Sequence, residues 1–182
     1  MGYTLQDFCA EIHDILETTN NLEGREKVRQ KLVKLLQNEN FVESFCGADK
    51  KPGVYKLNED PVTGAVVLSH VMGEGRTSPP HDHGKSWAIY GQATAHTIMT
   101  EWELTSEEPS DDRQILRETK KYRLNPGQVG LFDIGKIHSI EYPDGARFVR
   151  VTGVNLDYIN RKTYNLKHNT VKTIKAESAV RA

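Results

Sequence analysis

Cysteine is nearly absent: Cys9 and Cys46 are the two in 182 residues. Two thiols cannot staple a chain of this size, so a disulfide scaffold is excluded. Both fall in what reads as helix, where a small buried apolar side chain is the ordinary role. Long apolar runs are missing too, and the longest stretches are far short of the roughly 20 residues that a bilayer-spanning helix needs. Neither sign of charge dominates, because 24 basic and 25 acidic residues leave a net charge of −1. With no basic stripe and no block of like charge, neither nucleic acid nor a membrane is expected as a partner. The opening MGYTLQDFCAEIHD carries acids where a secretory signal needs positive charge and an apolar core, so a cytoplasmic location is expected.

What is present is a balanced globular composition, 37% hydrophobic and 27% charged, at a length suited to one domain with a short extension. Residues 1–48 read as helical. Leu5, Phe8, Cys9, Ile12, Ile15 and Leu16 form one apolar helix face, with Thr4 as its N-cap and Asp7 in the first turn. Val28, Leu32, Leu35 and Leu36 form a second face beyond the NNLEG break, and Phe41, Val42 and Phe45 suggest a short third helix. These helices are expected to pack as an extension on the main domain.

From 49 to 160 the texture changes to β. GAVVLSHVM, SWAIYG, HTIMTEWEL, ILRETKKYRL, VGLFDI and RFVRVTGV are short and rich in β-branched or aromatic residues, with turn formers between most of them. Many short strands with frequent turns imply a sandwich or a barrel. TSEEPSDDRQ reads as a polar hairpin loop. Residues 161–182 read as a polar tail that adds at most one edge strand before fraying.

Seven histidines are present. His81 and His83 lie two apart in SPPHDHGKSW, and in a strand such residues share a face, which places two imidazoles together as a ready pair of metal ligands. Pro79 and Pro80 hold the approach extended, and Asp82 points away. An HxH pair alone is equally a structural pair. A second element stands about 55 residues on, where Pro126-Gly127 leads through Asp133 and Gly135 to His138. If the strand of His138 lies beside that of His81, the three histidines close one site for a divalent metal ion.

Both elements resemble the two motifs of the cupin superfamily. The first runs Gly75, five residues, then His81-Asp82-His83. The second runs Gly127, five residues, Asp133 in place of the usual proline, one residue, Gly135, two residues, then His138. Within cupins, MGEGRTSPPHDHG and DIGKIH are most similar to the cysteine dioxygenase group of thiol dioxygenases, which also carries helices before its barrel. The resemblance implies a mainly β fold, a cupin double-stranded β-helix (jelly-roll barrel) with an N-terminal α-helical extension. It also implies His81, His83 and His138 as metal ligands. The glutamate that usually follows HxH by four or five positions is replaced by Trp87 and Ala88, so the ligand set is three neutral histidines, as in thiol dioxygenases, which implies Fe(II). The expected partners are then a small thiol and dioxygen, with a sulfinate as product. Barrel-edge pairing, common in cupins, leaves a homodimer open.

The resemblance is incomplete. No cysteine follows His83 in GKSWAIYG, the positions of the group's serine-histidine-tyrosine relay fall on Val151, Gly153 and Asn155, and its carboxylate-binding arginine falls near Lys56 or Leu57. Tyr55, Lys56, His70, Met72, Trp87 and Asn155 are the pocket candidates. For His70 and Trp87 a core role is the competing reading. Gln92, His96 and Asp133 are candidates to support the ligands from behind, and for Asp133 simply holding its turn is the competing reading. His13 and His168 lie outside the barrel and read as surface residues. Two other functions compete with oxidation. One is a cupin isomerase, lyase or hydrolase using zinc, nickel or manganese as a Lewis acid. The other is a non-catalytic metal-binding cupin.

Overall fold

The structure, a computed structural model, describes residues 2–105 and 114–177. Most of the expected TSEEPSDDRQ loop and the end of the tail lie outside those residues.

Three helices come first: α1 (Leu5–Thr18), α2 (Leu22–Leu36) and α3 (Glu39–Cys46). Thr4 caps α1 reciprocally. Its hydroxyl accepts the Asp7 N–H at 3.1 Å, and the Asp7 carboxylate accepts the Thr4 N–H at 2.8 Å. Asn21 and Asn38 cap the other two helices. The apolar faces bury Phe8, Ile12, Leu16, Val28, Leu32, Leu35 and Phe41 in one core with Val67, Trp87, Ile89, Val149 and Val151 from the strands behind them. Contact is close at Gly91, where a Cβ would stand 2.7 Å from Leu36 Cδ1 and 2.9 Å from Leu32 Cδ2. Only a glycine lets the helical layer come this near the sheet.

The strands are β1 (Gly53–Glu59), β2 (Val66–Val71), β3 (Arg76–Thr77), β4 (Ala88–Thr94), β5 (Thr97–Leu104), β6 (Leu116–Leu124), β7 (Val129–Phe132), β8 (Ile137–Tyr142), β9 (Arg147–Thr152), β10 (Arg161–Asn165) and β11 (Thr170–Ile174). One antiparallel sheet runs β1-β2-β9-β4-β7 and the other runs β3-β8-β5-β6. Setting β1 aside, the order β2-β9-β4-β7 over β3-β8-β5-β6 is that of a jelly roll. The fold is therefore mainly β, a jelly-roll barrel with an N-terminal helical segment. Among the described residues no helix is long and apolar enough to cross a membrane.

Alternation along the strands gives the barrel two cores. Val67, Ile89, Val149 and Val151 face the helices, while Ala88, Tyr90, Met99, Leu124, Phe132, Ile140 and Phe148 fill the space between the sheets.

Two expectations change here. Residues 161–174 make two strands rather than one edge strand. The Asn165 side chain accepts the N–H groups of Lys167 and His168, and Asn169 takes φ 53, which closes a hairpin whose second strand, TVKTI, is rich in β-branched residues. His13 is half-buried rather than free on the surface, because its Nδ1 lies 2.7 Å from the Asp60 carboxylate.

Leu32 is fully buried between α1 and the sheet. Leu32→Ala is expected to destabilise the protein by about 2–5 kcal/mol in urea unfolding. A loss below about 0.5 kcal/mol would show that the helical layer is not part of the cooperative unit.

Candidate metal centre

The segment before β4 is not a regular strand, as Pro79 and Pro80 offer no N–H to a ladder. It is held instead from both sides. His81 exchanges two backbone hydrogen bonds with His138 on β8, at 2.9 and 3.0 Å, and forms a second bridge to Thr163 on β10. The Asp82 N–H donates to the Lys162 carbonyl at 3.1 Å, and the Asp82 carboxylate accepts the N–H groups of Gly84 and Lys162. Asp82 is thus a clamp on the loop. Gly84 turns the chain at φ +58, and a Cβ there would lie 2.1 Å from the Asn160 carbonyl oxygen.

This bracing brings His81, His83 and His138 together, with one ligand nitrogen from each lying within 4.8 Å of the others. His83 and His138 are 2% and 0% exposed, and His81 is half-buried. The Nε2 atoms of His83 and His138 stand 3.4 Å apart. Two imidazole nitrogens sharing one ion tetrahedrally, at about 2.0–2.1 Å each, are separated by about 3.3–3.4 Å. His81 Nδ1 lies 3.0 Å from the Pro79 carbonyl. A carbonyl only accepts, so Nδ1 carries the hydrogen and Nε2 keeps its lone pair for a ligand. The Nδ1 atoms of His83 and His138 are buried without a protein partner. Burial lowers the pKa of all three imidazoles, followed by repulsion from His81 for the other two and by the charge of Arg150. They are therefore neutral at physiological pH, as a ligand must be. The donor set fits a single divalent ion.

Around the cluster, the Tyr90 hydroxyl lies 3.3 Å from His83 Nε2, and the Phe132 ring centroid lies 3.9 Å from that of His138. Ala88, at one of the positions where the usual cupin motif has glutamate, faces the inner core, whereas Trp87 packs in the outer core against the helices. Trp87 therefore does not wall the pocket.

A cavity of about 570 Å³ opens beside β1, β2 and β9, lined by Lys56, Leu68, His70, Arg150, Thr152 and Asn155, among others. It gathers Lys56, His70 and Asn155 from the expected pocket set. Tyr55 is directed elsewhere, its hydroxyl donating to the Lys51 carbonyl at 2.8 Å. Met72 packs on the inner core without lining the cavity. A larger cavity of about 720 Å³ lies outside the second sheet under the C-terminal hairpin, and neither cavity is lined by His81, His83 or His138.

The three supporting candidates stand apart from the ligands. Gln92 donates to the carbonyls of Thr94 and Arg147, where it fills a bulge in β4. His96 follows the end of β4 opposite Ala88. Asp133 is ion-paired to Arg25, fastening the turn before β8 to α2 instead of orienting His138.

The relay positions also differ from the sequence expectation. Val151 faces the helical core, and the Gly153 N–H donates to Ser86 Oγ at 3.0 Å. The inward positions of β9 are Phe148, Arg150 and Thr152, one residue out of phase with the spacing from His138. Tyr90 and Arg150 are the site residues that the spacing misses. Alternation in RFVRVTGV carried the signal, because its second arginine sits between outward valines.

His70 stacks on Phe148 with ring centroids 4.7 Å apart and 13° between planes. Burial first, then the charge of Arg150, pushes its pKa down to about 3. An unfolded histidine titrates near 6.5, so between about pH 6.5 and 3 the unfolded chain binds a proton that the folded chain refuses, and stability falls as pH drops. His70→Gln is expected to flatten this decline in the metal-free protein by up to about 1.4 kcal/mol per pH unit, read from urea midpoints between about pH 6.5 and 4. Equal slopes in the two proteins would mean that His70 protonates as readily folded as unfolded.

No protein-family model matches the chain, and no curated protein matches it in sequence. Similar solved structures include a conserved protein with a double-stranded β-helix domain from Klebsiella pneumoniae, 13% identical with a TM-score of 0.43 over 75% of this chain and 89% of that one. KdgF from a Halomonas species is 18% identical with a TM-score of 0.40, over 57% of this chain and 82% of that one. The cupin domain of Cnp3 from Schizosaccharomyces pombe is 10% identical with a TM-score of 0.42, and the match spans 56% of this chain and 64% of that one. Cupin-domain proteins are thus among the solved structures that this chain resembles.

Proposed function

We propose that the protein is a metal-dependent cupin-type enzyme, and specifically a non-haem iron dioxygenase that converts a small thiol into a sulfinate. One observation carries this reading: three neutral imidazoles converge on one point, and no carboxylate joins them among the described residues. Ferrous iron bound there would supply a redox-active centre that keeps its double positive charge and lowers the pKa of an arriving thiol. The overall change balances without another reductant, since a thiol plus dioxygen equals a sulfinic acid, with both oxygen atoms ending on sulfur.

The chain's own residues prepare this site. The Pro79 carbonyl holds His81 in the tautomer with Nε2 free. Phe132, Phe148 and Met99 keep water from the buried side of the histidines. The Tyr90 hydroxyl, beside His83, offers a hydrogen bond to a group bound next to that ring. The partners in this reading are a small thiol and dioxygen.

His138→Ala is expected to remove stoichiometric metal, measured by elemental analysis after iron loading, while circular dichroism keeps its β signature. Unchanged metal content would overturn the ligand assignment. Iron-loaded protein is expected to consume oxygen with at least one of cysteine, 3-mercaptopropionate, cysteamine and homocysteine and to yield the sulfinate, and His81→Ala should abolish the uptake. Bound iron with no uptake from any thiol would discard the dioxygenase and favour Lewis-acid chemistry with zinc, nickel or manganese.

A further inference from the structure

β10 and β11 form a two-stranded sheet of their own, beyond the strands that complete the jelly roll. Their hairpin is seated on the loop before β4, where the Tyr164 N–H donates to the Pro80 carbonyl at 2.9 Å and Thr163 bridges His81. Its turn is tied down at Asn169, whose carbonyl accepts the Gln114 N–H at 2.9 Å. Between these attachments it spans the outer face of β8, β5 and β6. The space beneath it is the 720 Å³ cavity, and neither apolar core of the barrel extends there.

Trp102 on β5 is the largest side chain of the cavity wall. Its Nε1–H donates to Ser139 Oγ on β8 at 3.0 Å, so the indole is tethered by its edge across two strands while it stays partly exposed. Around it stand the hydroxyls of Thr77, Ser78, Thr100, Ser139, Thr163 and Thr170. Ser139 accepts from Trp102 and Ser78 accepts the Ile140 N–H, which leaves the O–H of each to donate elsewhere. Asn165 spends its side-chain oxygen on the turn and keeps its NH₂ group. The charges balance, with Glu118 and Glu141 against Lys121 and Lys172. None of the four joins an ion pair among the described residues.

A site for an anion or a cation carries a surplus of the opposite charge, and this cavity carries none. A flat apolar ligand would stack on Trp102 but would leave the surrounding hydroxyls and carboxylates without partners. A sugar suits both parts of the wall. One face of a pyranose ring is a patch of C–H groups that packs on the negative face of an indole, and its rim of hydroxyls donates and accepts as this wall does. The volume also falls in the range of about 300–1,000 Å³ usual for small-molecule sites.

We propose that this cavity is a binding site for a neutral saccharide, with Trp102 as its stacking platform and the C-terminal hairpin as its outer wall. It stands back to back with the histidine cluster across β8, where His138 faces inward and Ser139 outward. The assignment does not depend on what the histidines bind.

The test is saturation-transfer NMR with maltotriose, cellotriose and xylotriose, beside trigalacturonate and the glucosamine trimer as charged comparators, on metal-loaded and metal-stripped protein. At least one neutral trisaccharide is expected to bind, equally in both forms. Trp102→Ala should weaken it about tenfold or more, and Trp102→Phe, which keeps a smaller platform and guards against a folding defect, about threefold or less. Absence of binding by every neutral sugar at about 10 mM overturns the site. So does binding that survives in Trp102→Ala, or a charged trimer held more than about tenfold tighter. Binding that requires the metal also overturns it, since the sugar would then sit at the histidines. Acrylamide quenching tests the other occupant. Trp87 is 1% exposed, so quenching reports Trp102. Quenching that weakens as protein concentration rises would give the cavity to a second copy of this chain and overturn the saccharide.

Discussion

The two backbone hydrogen bonds between His81 and His138 are the constraint from which the site follows. Their chain positions are 57 apart, and nothing local holds one near the other. Once paired, they close the mouth of the jelly roll. His83 then swings in beside His138, and the Asp82 clamp fixes the loop against β10. Side-chain convergence here is a product of main-chain pairing, as buried amides must find partners and the proline-rich loop has few choices. The three histidines are thus placed by the same bonds that complete the fold.

The interior is unusually polar for so small a barrel. Four imidazoles and a guanidinium share space with Tyr90, Phe132, Phe148 and Met99. The histidines settle that conflict by remaining neutral, because burial disfavours their protonated forms.

Much of this could be read from residue order. The helix faces, the strand texture and the two histidine motifs depend on periodicity and short spacing, and those signals survive in one dimension. The parity of β9 did not, because counting from His138 crosses the turn at residues 143–146, and one residue there moves every later side chain to the other face of the sheet. That slip hid Arg150 behind Val151. Trp87 looked like a pocket wall because it follows HxH closely, yet its place is decided by the helices, and Gly153 leaves it room. Asp133 looked like a partner for His138 until Arg25, 108 residues away, took it. Each of these depends on which distant element arrives, and no local pattern records that.

The double bridge at His81 also governs the order of events in folding. One bond pair reaches β8 and the other reaches Thr163 on the C-terminal hairpin, so the loop is fully seated only after nearly the whole described chain has emerged and collapsed. Contacts of such long sequence separation form late, after loop-closure entropy has been overcome. A chain still being synthesised holds His81 and His83 without His138 or the strand that braces them, and so lacks the three-point cage. A metal ion held by all three histidines would therefore bind only at the end of assembly, and would stabilise chains that have already closed.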